Sequence, residues 1–474
     1  MPDADTFDIA VVGSGGAGLA AALAASVGGS RVVVVEKSEL LGGTTALSGG
    51  SIWVPCNHHQ NAIGAKDSRE EALSYIRSVA PQGWHNVEDP LWVSFVDHAP
   101  QMLRFLEQNS PLRFAACKEP DPYAEAPGGK AFGRGVSPRP LPVSVLGGLR
   151  GKLRGPQFAP WLNYEELVDT KIYTNPRPWV LRLLPRILYR RLTGRRVMGS
   201  ALIIGLLRGC LDQACEIWPA TQAEKLITKG GRVTGLQVRR GNEQVEISVR
   251  KGVVLASGGF EWNEEMMARH FPGLPLQWRG SPSTNTGDGH RLARDVGAMF
   301  DRMDQALLYA TVPEPYEGGV RGKPVADKTL PHAMLVNRHG QRFVNEKLHN
   351  DGTAFMERDP DSAALLHLPA WRIYDAQFAA KYAHVLPRDG PHATLHKAAT
   401  LAELAGQIDI DPEALTATAE RFSEFARTGV DEDFGRGGSV WDLNRGADPR
   451  VRANGALGTI EQPPFYAYPF IPSV

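Results

Sequence analysis

The sequence has 474 residues, too many for one ordinary core, so two or three structural domains are expected at about 100–200 residues each. Apolar residues make up 42 % and charged residues 22 %, the proportions of a soluble globular chain, and 52 basic side chains face 52 acidic ones. That balance excludes a dedicated nucleic-acid binder and leaves room only for local basic patches. The first ten residues are acidic and lack the basic-then-apolar pattern of a secretory signal. The longest apolar stretch, residues 199–207, is too short to span a bilayer. Cys56, Cys117, Cys210 and Cys215 show no C-x-x-C pairing. They are expected as free thiols in a cytoplasmic protein, with no metal site.

Residues 8–12 (Asp8, Ile9, Ala10, Val11, Val12) read as a buried parallel strand. Gly13-Ser14-Gly15-Gly16-Ala17-Gly18 follows as a G-x-G-x-x-G, and Leu19 to Ala25 reads as a helix of small residues. A second apolar strand, 31–37, ends in Glu36-Lys37. Strand, glycine turn, helix, strand and acid together make a dinucleotide fingerprint. Gly13 allows the tight turn, Gly15 lets the backbone approach a pyrophosphate, and Gly18 lets the helix pack on the strand. The helix N-terminus offers free N–H groups to phosphate oxygens. Glu36 suits a ribose diol and would repel an added 2′-phosphate.

Beyond Glu36 the chain reads "LLGGTTALSGGSIWVP" at 40–55. Gly42-Gly43 and Gly49-Gly50 flank Thr44, Thr45 and Ser48, a ribbon of small residues and hydroxyls that suits a second large planar group, as a flavin would. His58 and His59 read as ordinary loop residues. The segment 173–196 is basic and apolar, broken by three prolines, with Arg177, Arg182, Arg186, Arg190, Arg191, Arg195 and Arg196 among leucines. Two arrangements fit it: a solvated arginine face over core-facing leucines, which is favoured, or a surface that touches anionic lipid. "GVVLASGGF" at 252–260 is another apolar strand ending in glycines, and "STNTGDG" at 283–289 brings Thr286 and Asp288 between glycines. Near the end of the chain, Asp411 as N-cap, Pro412 at the first helical position and Gly429 as the stop predict a helix burying Leu415, Ala419, Phe422 and Ala426.

The stretches "VVGSGGAGLAAALAA", "VVEKSELLGGTTALSGGSIWVP", "VVLASGGFEWN", "NTGDGHRLA", "LVNRHGQRFVNE" and "QPPFYAYP" resemble the FAD-dependent flavoprotein family of fumarate reductases and 3-ketosteroid dehydrogenases. "SGGSIWVP" and "DPYAEAPGG" lean to the ketosteroid dehydrogenase branch. The resemblance implies an α/β fold: a Rossmann-like FAD-binding domain, split in sequence, with an inserted α+β substrate domain. Residues 1–278 would form the first part, 279–455 the insertion, and 456–474 a return to the FAD domain. The family continues for about 80 residues beyond the last one here, a sizeable piece of one domain; an incomplete flavoprotein without catalysis is therefore one expectation.

The FAD is implied to be non-covalent, because no histidine stands ahead of "TTALSGG". It would lie on Gly13, Ser14, Gly15, Gly16, Ala17, Gly18, Glu36, Lys37, Gly43, Thr44, Thr45, Ser48, Gly49, Gly50, Ala223, Ser257, Gly258, Gly259 and Asp288. The implied reaction is dehydrogenation at a CH–CH bond of a 3-ketosteroid or similar apolar ketone, with electrons passed to an acceptor of unspecified identity. Reduction of another unsaturated acid or ketone is the alternative. Tyr123 matches one pocket tyrosine of the branch. Four residues past Glu346, where fumarate reductases carry an arginine and ketosteroid dehydrogenases a tyrosine, this chain has Asn350. His349 beside it is the candidate base, and Tyr309 or Tyr316 could add a hydroxyl from another loop.

Overall fold

The computed structural model describes residues 6–156, 161–275, 277–324, 326–386 and 393–473. Two six-stranded assemblies organise them. In the first sheet the strand order is Glu216–Trp218, Val32–Val35, Thr6–Val12, Glu243–Leu255, Arg232–Arg240, Thr221–Lys229. The first four strands run parallel and the last two add antiparallel. Val32–Val35 is buried at every position, as a strand covered on both faces must be. Alternate side chains serve two cores. Val11, Val32 and Val34 pack with the helices Gly16–Val27 and Met198–Asp212, while Ala10, Val12, Val33 and Val35 pack with Leu226, Leu236 and Ile247.

The second sheet is antiparallel, in the order Gly319–Pro324, Tyr309–Tyr316, Phe465–Ser473, Ala370–Tyr374, Ala333–Val336, with His396–Ala398 also paired to Phe465–Ser473. Its core includes the helix Pro412–Thr428. Asp411 accepts from the N–H groups of Glu413 and Ala414, Gly429 closes the helix at φ +84°, and Leu415, Ala419, Phe422 and Ala426 are buried as expected.

Two expectations are corrected. Among the described residues the chain does not return to the first sheet after residue 455: Phe465–Ser473 lies between two strands of the second sheet, with Ala370 facing Phe470 and Thr311 facing Ile471. Its alternating buried positions are filled by that sheet's own core. The basic segment forms one helix, Arg177–Leu192, but of its leucines only Leu183 is buried. Leu181 is 80 % and Leu192 84 % exposed, with Val180, Leu184 and Leu188 also open. Beside Leu183 the side chain turned inward is Arg190, which donates to both oxygens of Glu166 at 2.6 and 2.8 Å. A bidentate buried partner gives the arginine a place on the inner face of this helix. Among the described residues no helix is long and apolar enough to cross a membrane, and all four cysteines are free.

Candidate active site

The glycine turn divides its work as the sequence suggests. Gly13 has φ +107°, and a Cβ there would stand 2.3 Å from the Ala256 carbonyl oxygen. A Cβ on Gly18 would stand 2.1 Å from the Gly13 carbonyl oxygen, so helix and strand touch through backbone. At Gly15 an added Cβ meets nothing within 4 Å, and Ala17 beside it is exposed. The helix that starts here has no side-chain cap from Gly15. Open space before uncapped N–H groups is what a pyrophosphate needs. Gly16 N–H meets Thr45 Oγ1 at 3.1 Å, and Gly43 faces Gly15.

Glu36 is buried and accepts from Ser14 N–H at 3.0 Å, Ser14 Oγ at 2.7 Å and Ser38 N–H at 2.9 Å. A carboxylate offers about four lone-pair sites, so acceptor capacity remains for a ribose hydroxyl. Lys37 reaches across to Thr286 Oγ1 and Asp288, both at 2.7 Å, and joins the second strand to the "TGDG" loop. Ser257 Oγ accepts from Gly289 N–H at 3.1 Å, Gly258 has φ +82°, and a Cβ on Gly259 would strike the Glu261 carboxylate at 2.3 Å. Gly50 is needed for packing, since its Cβ would lie 2.5 Å from Gly199 N. The Ala223 side chain belongs to the core of the first sheet. Open backbone at Gly15, the carboxylate at Glu36 and the small-residue ribbon fit FAD.

Thr44, Leu47, Ser48 and Gly49 form one wall of a cavity of about 470 Å³ between the two sheets. Such a volume suits a drug-sized ligand. The other walls include Leu167, Val168, Met198, Tyr164, Tyr173, Tyr309, His349 and Arg445. Tyr164 packs on the ribbon itself: a Cβ on Gly49 would lie 2.8 Å from its ring. The "RFVNE" motif stands behind this wall. Glu346 is buried between Arg342 (3.1 Å) and Arg436 (3.0 Å), and accepts from Leu335 N–H at 3.0 Å. These charges hold its carboxyl at about 2, well below its ordinary range, against the opposing effect of burial. The pair anchors the segment from which Lys347 and His349 reach the cavity.

The catalytic candidates separate. His349 lines the cavity, edge-on to Trp441 with ring centroids 5.3 Å apart. Burial, then the charges of Arg445 and Lys328, push its pKa down to about 4, so the ring is neutral at pH 7. Asn350 does not line the cavity, and its buried Oδ1 has no hydrogen-bond partner among the described residues. Tyr123 is 44 % exposed and lines a different groove, beside Asn345, Leu348 and Trp441. The loop around it is closed by Lys130 N–H donating to Asp121 at 2.9 Å, and Tyr123 does not line the cavity where the resemblance put it. Tyr316 also sits elsewhere, donating to the Gly155 carbonyl at 3.0 Å.

Sequence reasoning passed over the linked group at the centre of the wall. Tyr164 Oη donates to Glu119 Oε1 at 2.8 Å, while Arg445 donates to Tyr164 Oη at 2.7 Å and pairs with Glu119. Burial raises the Tyr164 phenol, so it is protonated at rest. Tyr164, His349, Trp441 and Arg445 are also shared with an outer groove of about 460 Å³ that contains Glu119. Tyr309, raised by burial and by Asp351, is protonated, and its hydroxyl makes no hydrogen bond among the described residues. The one signal available was the "NYEEL" capping box, in which Asn163 N–H donates to Glu166 at 2.9 Å. It marks a helix start and does not show what Tyr164 faces.

Residues 8–474 match the FAD binding domain family. The chain is 34 % identical to the 3-oxosteroid 1-dehydrogenase of Mycobacterium tuberculosis, covering 98 % of this chain and 86 % of that protein. It is 35 % identical to the 4-oxocyclohexanecarboxylate 2-dehydrogenase of Sinomonas cyclohexanicum, covering 98 % and 81 %. The crystal structure of 3-ketosteroid delta1-dehydrogenase from Sterolibacterium denitrificans, in complex with 1,4-androstadiene-3,17-dione, superposes with a TM-score of 0.89 at 32 % identity, covering 98 % of this chain and 87 % of that one. The chain therefore belongs to the FAD binding domain family, as an FAD-dependent oxidoreductase homologous to the 3-ketosteroid dehydrogenases.

Proposed function

We propose that the protein dehydrogenates a neutral, apolar cyclic ketone of 3-oxosteroid type at the bond next to its carbonyl. The relatives named above act on ring ketones of two kinds, one a neutral steroid and the other a small carboxylate. Charge favours the first. Each cation in the cavity wall already has its partner: Lys328 pairs with buried Asp351 at 2.5 Å, Arg445 with Glu119, and Lys347 donates to the carbonyls of Thr329 and Arg445. A substrate carboxylate entering here would be desolvated without a free counter-charge, which is costly. Apolar walls at Leu47, Leu167, Val168 and Met198 favour a neutral ring system instead.

FAD, which Gly15, Glu36 and the 43–50 ribbon would hold, would supply the hydride acceptor when bound. Tyr309, with its free protonated hydroxyl, is the donor for the substrate carbonyl, and acidifies the neighbouring C–H. Tyr164 takes that proton at Oη while its own proton passes to Glu119, which faces the outer groove. Arg445 stabilises the charge that develops on Tyr164 during the transfer. His349 remains neutral and shapes the pocket beside Trp441. The test is turnover of 4-androstene-3,17-dione by the yellow protein with an artificial electron acceptor, against 4-oxocyclohexanecarboxylate. Steroid turnover is expected; activity confined to the carboxylate refutes the substrate reading. No turnover of either by FAD-loaded protein indicates a flavoprotein without this catalysis.

The helix Arg177–Leu192 supports a further element, contact with an anionic lipid surface in the cytoplasm. At about 100° per residue, Leu181, Leu184, Leu188 and Leu192 form one exposed stripe, with Arg177 within it, Arg191 at its edge, and Arg182 and Arg186 farther round the helix. Leucines aimed outward beside arginines match the lipid–water boundary, where an apolar substrate concentrates. Sedimentation with phosphatidylglycerol vesicles should pull the protein down, and Leu181→Asp with Leu192→Asp should release it. Equal behaviour of the variant removes this element and leaves the ketone reading intact.

A further inference from the structure

His58 and His59 sit in the turn after the strand Ile52–Trp53, and Glu107 lies near the end of the helix His85–Asn109. Nothing in the sequence joins them. In the structure His58 Nε2 lies 2.7 Å from Glu107 Oε2, and His59 Nε2 lies 2.9 Å from Glu107 Oε1. The two rings are 4.0 Å apart between centroids and inclined at 40°, so both aim at one carboxylate. One donor atom from each residue lies within 4.8 Å of the other two.

The group is held from behind. Phe114 N–H donates to Glu107 Oε1 at 3.0 Å and turns the carboxylate toward the rings. His59 N–H donates to Asn57 Oδ1 at 3.1 Å, and the Asn57 amide is anchored on the Val54 and Gly133 carbonyls at 2.8 and 2.9 Å. The His58 and His59 side chains are 30 % and 24 % exposed, against 12 % for Glu107, so the site is open on the histidine side.

We propose that His58, His59 and Glu107 bind a divalent transition metal of the zinc type. Two imidazoles and one carboxylate, with water in the fourth position, are a zinc donor set and a poor one for magnesium or calcium. Bonds of about 2.0–2.2 Å to a tetrahedral ion put donor atoms about 3.3 Å apart. Each ring nitrogen stands 2.7–2.9 Å from a different oxygen of Glu107, so an entering ion asks both partly exposed rings to shift by roughly half an ångström from those oxygens. On binding, each histidine bonds the metal through Nε2 and keeps its proton on Nδ1, and any proton on Nε2 leaves to solvent. None of the three residues lines the cavity between the sheets, so the site is independent of the oxidoreductase reading. Its effect is to tie the turn to the helix, beside the sheet strands that carry Trp53 and Gly135 into the outer groove.

Calorimetric titration of the purified full chain with zinc chloride alone tests this. One site per chain is expected, with micromolar or tighter affinity. Glu107→Gln, and separately the pair His58→Ala and His59→Ala, should weaken it at least tenfold. Cys56→Ser and His98→Ala should leave it unchanged. No zinc uptake by the parent, equal affinity in the ligand variants, or loss in the Cys56 or His98 variants overturns the proposal. Circular dichroism of each variant, together with its flavin content, confirms that it is folded when titrated.

Discussion

The glycine turn allows two neighbouring substitutions to be set against each other. Gly15 has φ −69° and ψ 177°, a conformation open to any residue, and an added Cβ meets nothing within 4 Å. Gly15→Val should therefore leave the folding of the flavin-free chain almost unchanged. The new side chain fills the space before the helix N-terminus, where a pyrophosphate would accept from backbone N–H groups. Losing two hydrogen bonds to a charged group, at about 1.5–3 kcal/mol each, predicts roughly 10²–10⁴-fold weaker FAD binding. Gly18→Ala has the opposite character. Its Cβ would lie 2.1 Å from the Gly13 carbonyl oxygen, which is backbone and yields only if strand and helix part. Overpacking of this kind costs about 1–3 kcal/mol or more, lowering the melting temperature by about 2–4 °C per kcal/mol in a domain of roughly 150–250 residues. Flavin fluorescence titration measures the first effect, and thermal unfolding of the flavin-free proteins measures the second. A Gly15→Val protein that holds FAD like its parent, or a Gly18→Ala protein that melts like its parent, refutes the division of labour.

Tyr164→Phe and Glu119→Gln should each lower kcat by about 10²–10⁴-fold with FAD content unchanged, the range for loss of a general base; full activity in both removes the relay. Glu346, at about 2 when folded against an ordinary 4.5, contributes stability that is complete above pH 4.5 and lost as pH falls through 2, on the order of 3 kcal/mol. Urea unfolding between pH 7 and 3 should show the start of that loss, and Glu346→Gln should destabilise by about 3–5 kcal/mol at pH 7 by leaving Arg342 and Arg436 buried without it. His349, at about 4 when folded, binds fewer protons than the unfolded chain between pH 4 and about 6.5. Its contribution is thus complete above that window and declines as pH falls through it; His349→Gln should flatten this decline, and identical pH profiles of parent and variant would contradict the burial of the ring.

The dinucleotide half of the site was legible because its chemistry is local. A strand, a glycine turn, a helix and an acid lie within about thirty residues, and each element carries its own signal. The helix Pro412–Thr428 was legible for the same reason, with its cap, its first proline and its glycine stop contiguous. The substrate half was not. Tyr164, Tyr309, Glu119 and Arg445 come from four distant segments and meet only when the second sheet closes over the ribbon. Tyr123 matched a motif, yet it lies in a groove beside Asn345, Leu348 and Trp441 and not in the cavity wall.

The helix Arg177–Leu192 shows the same limit. Its periodicity announced two faces, but a pattern does not say which face turns inward; Glu166, a partner for Arg190 from another helix, settled that. Sequence by itself determined the family, the cofactor and the turn that grips its diphosphate, because short-range backbone geometry dictates them. Tertiary structure alone decided which hydroxyls and charges share the substrate cavity and where the last strand lies, because those depend on long-range pairings between sheets that no local spacing encodes.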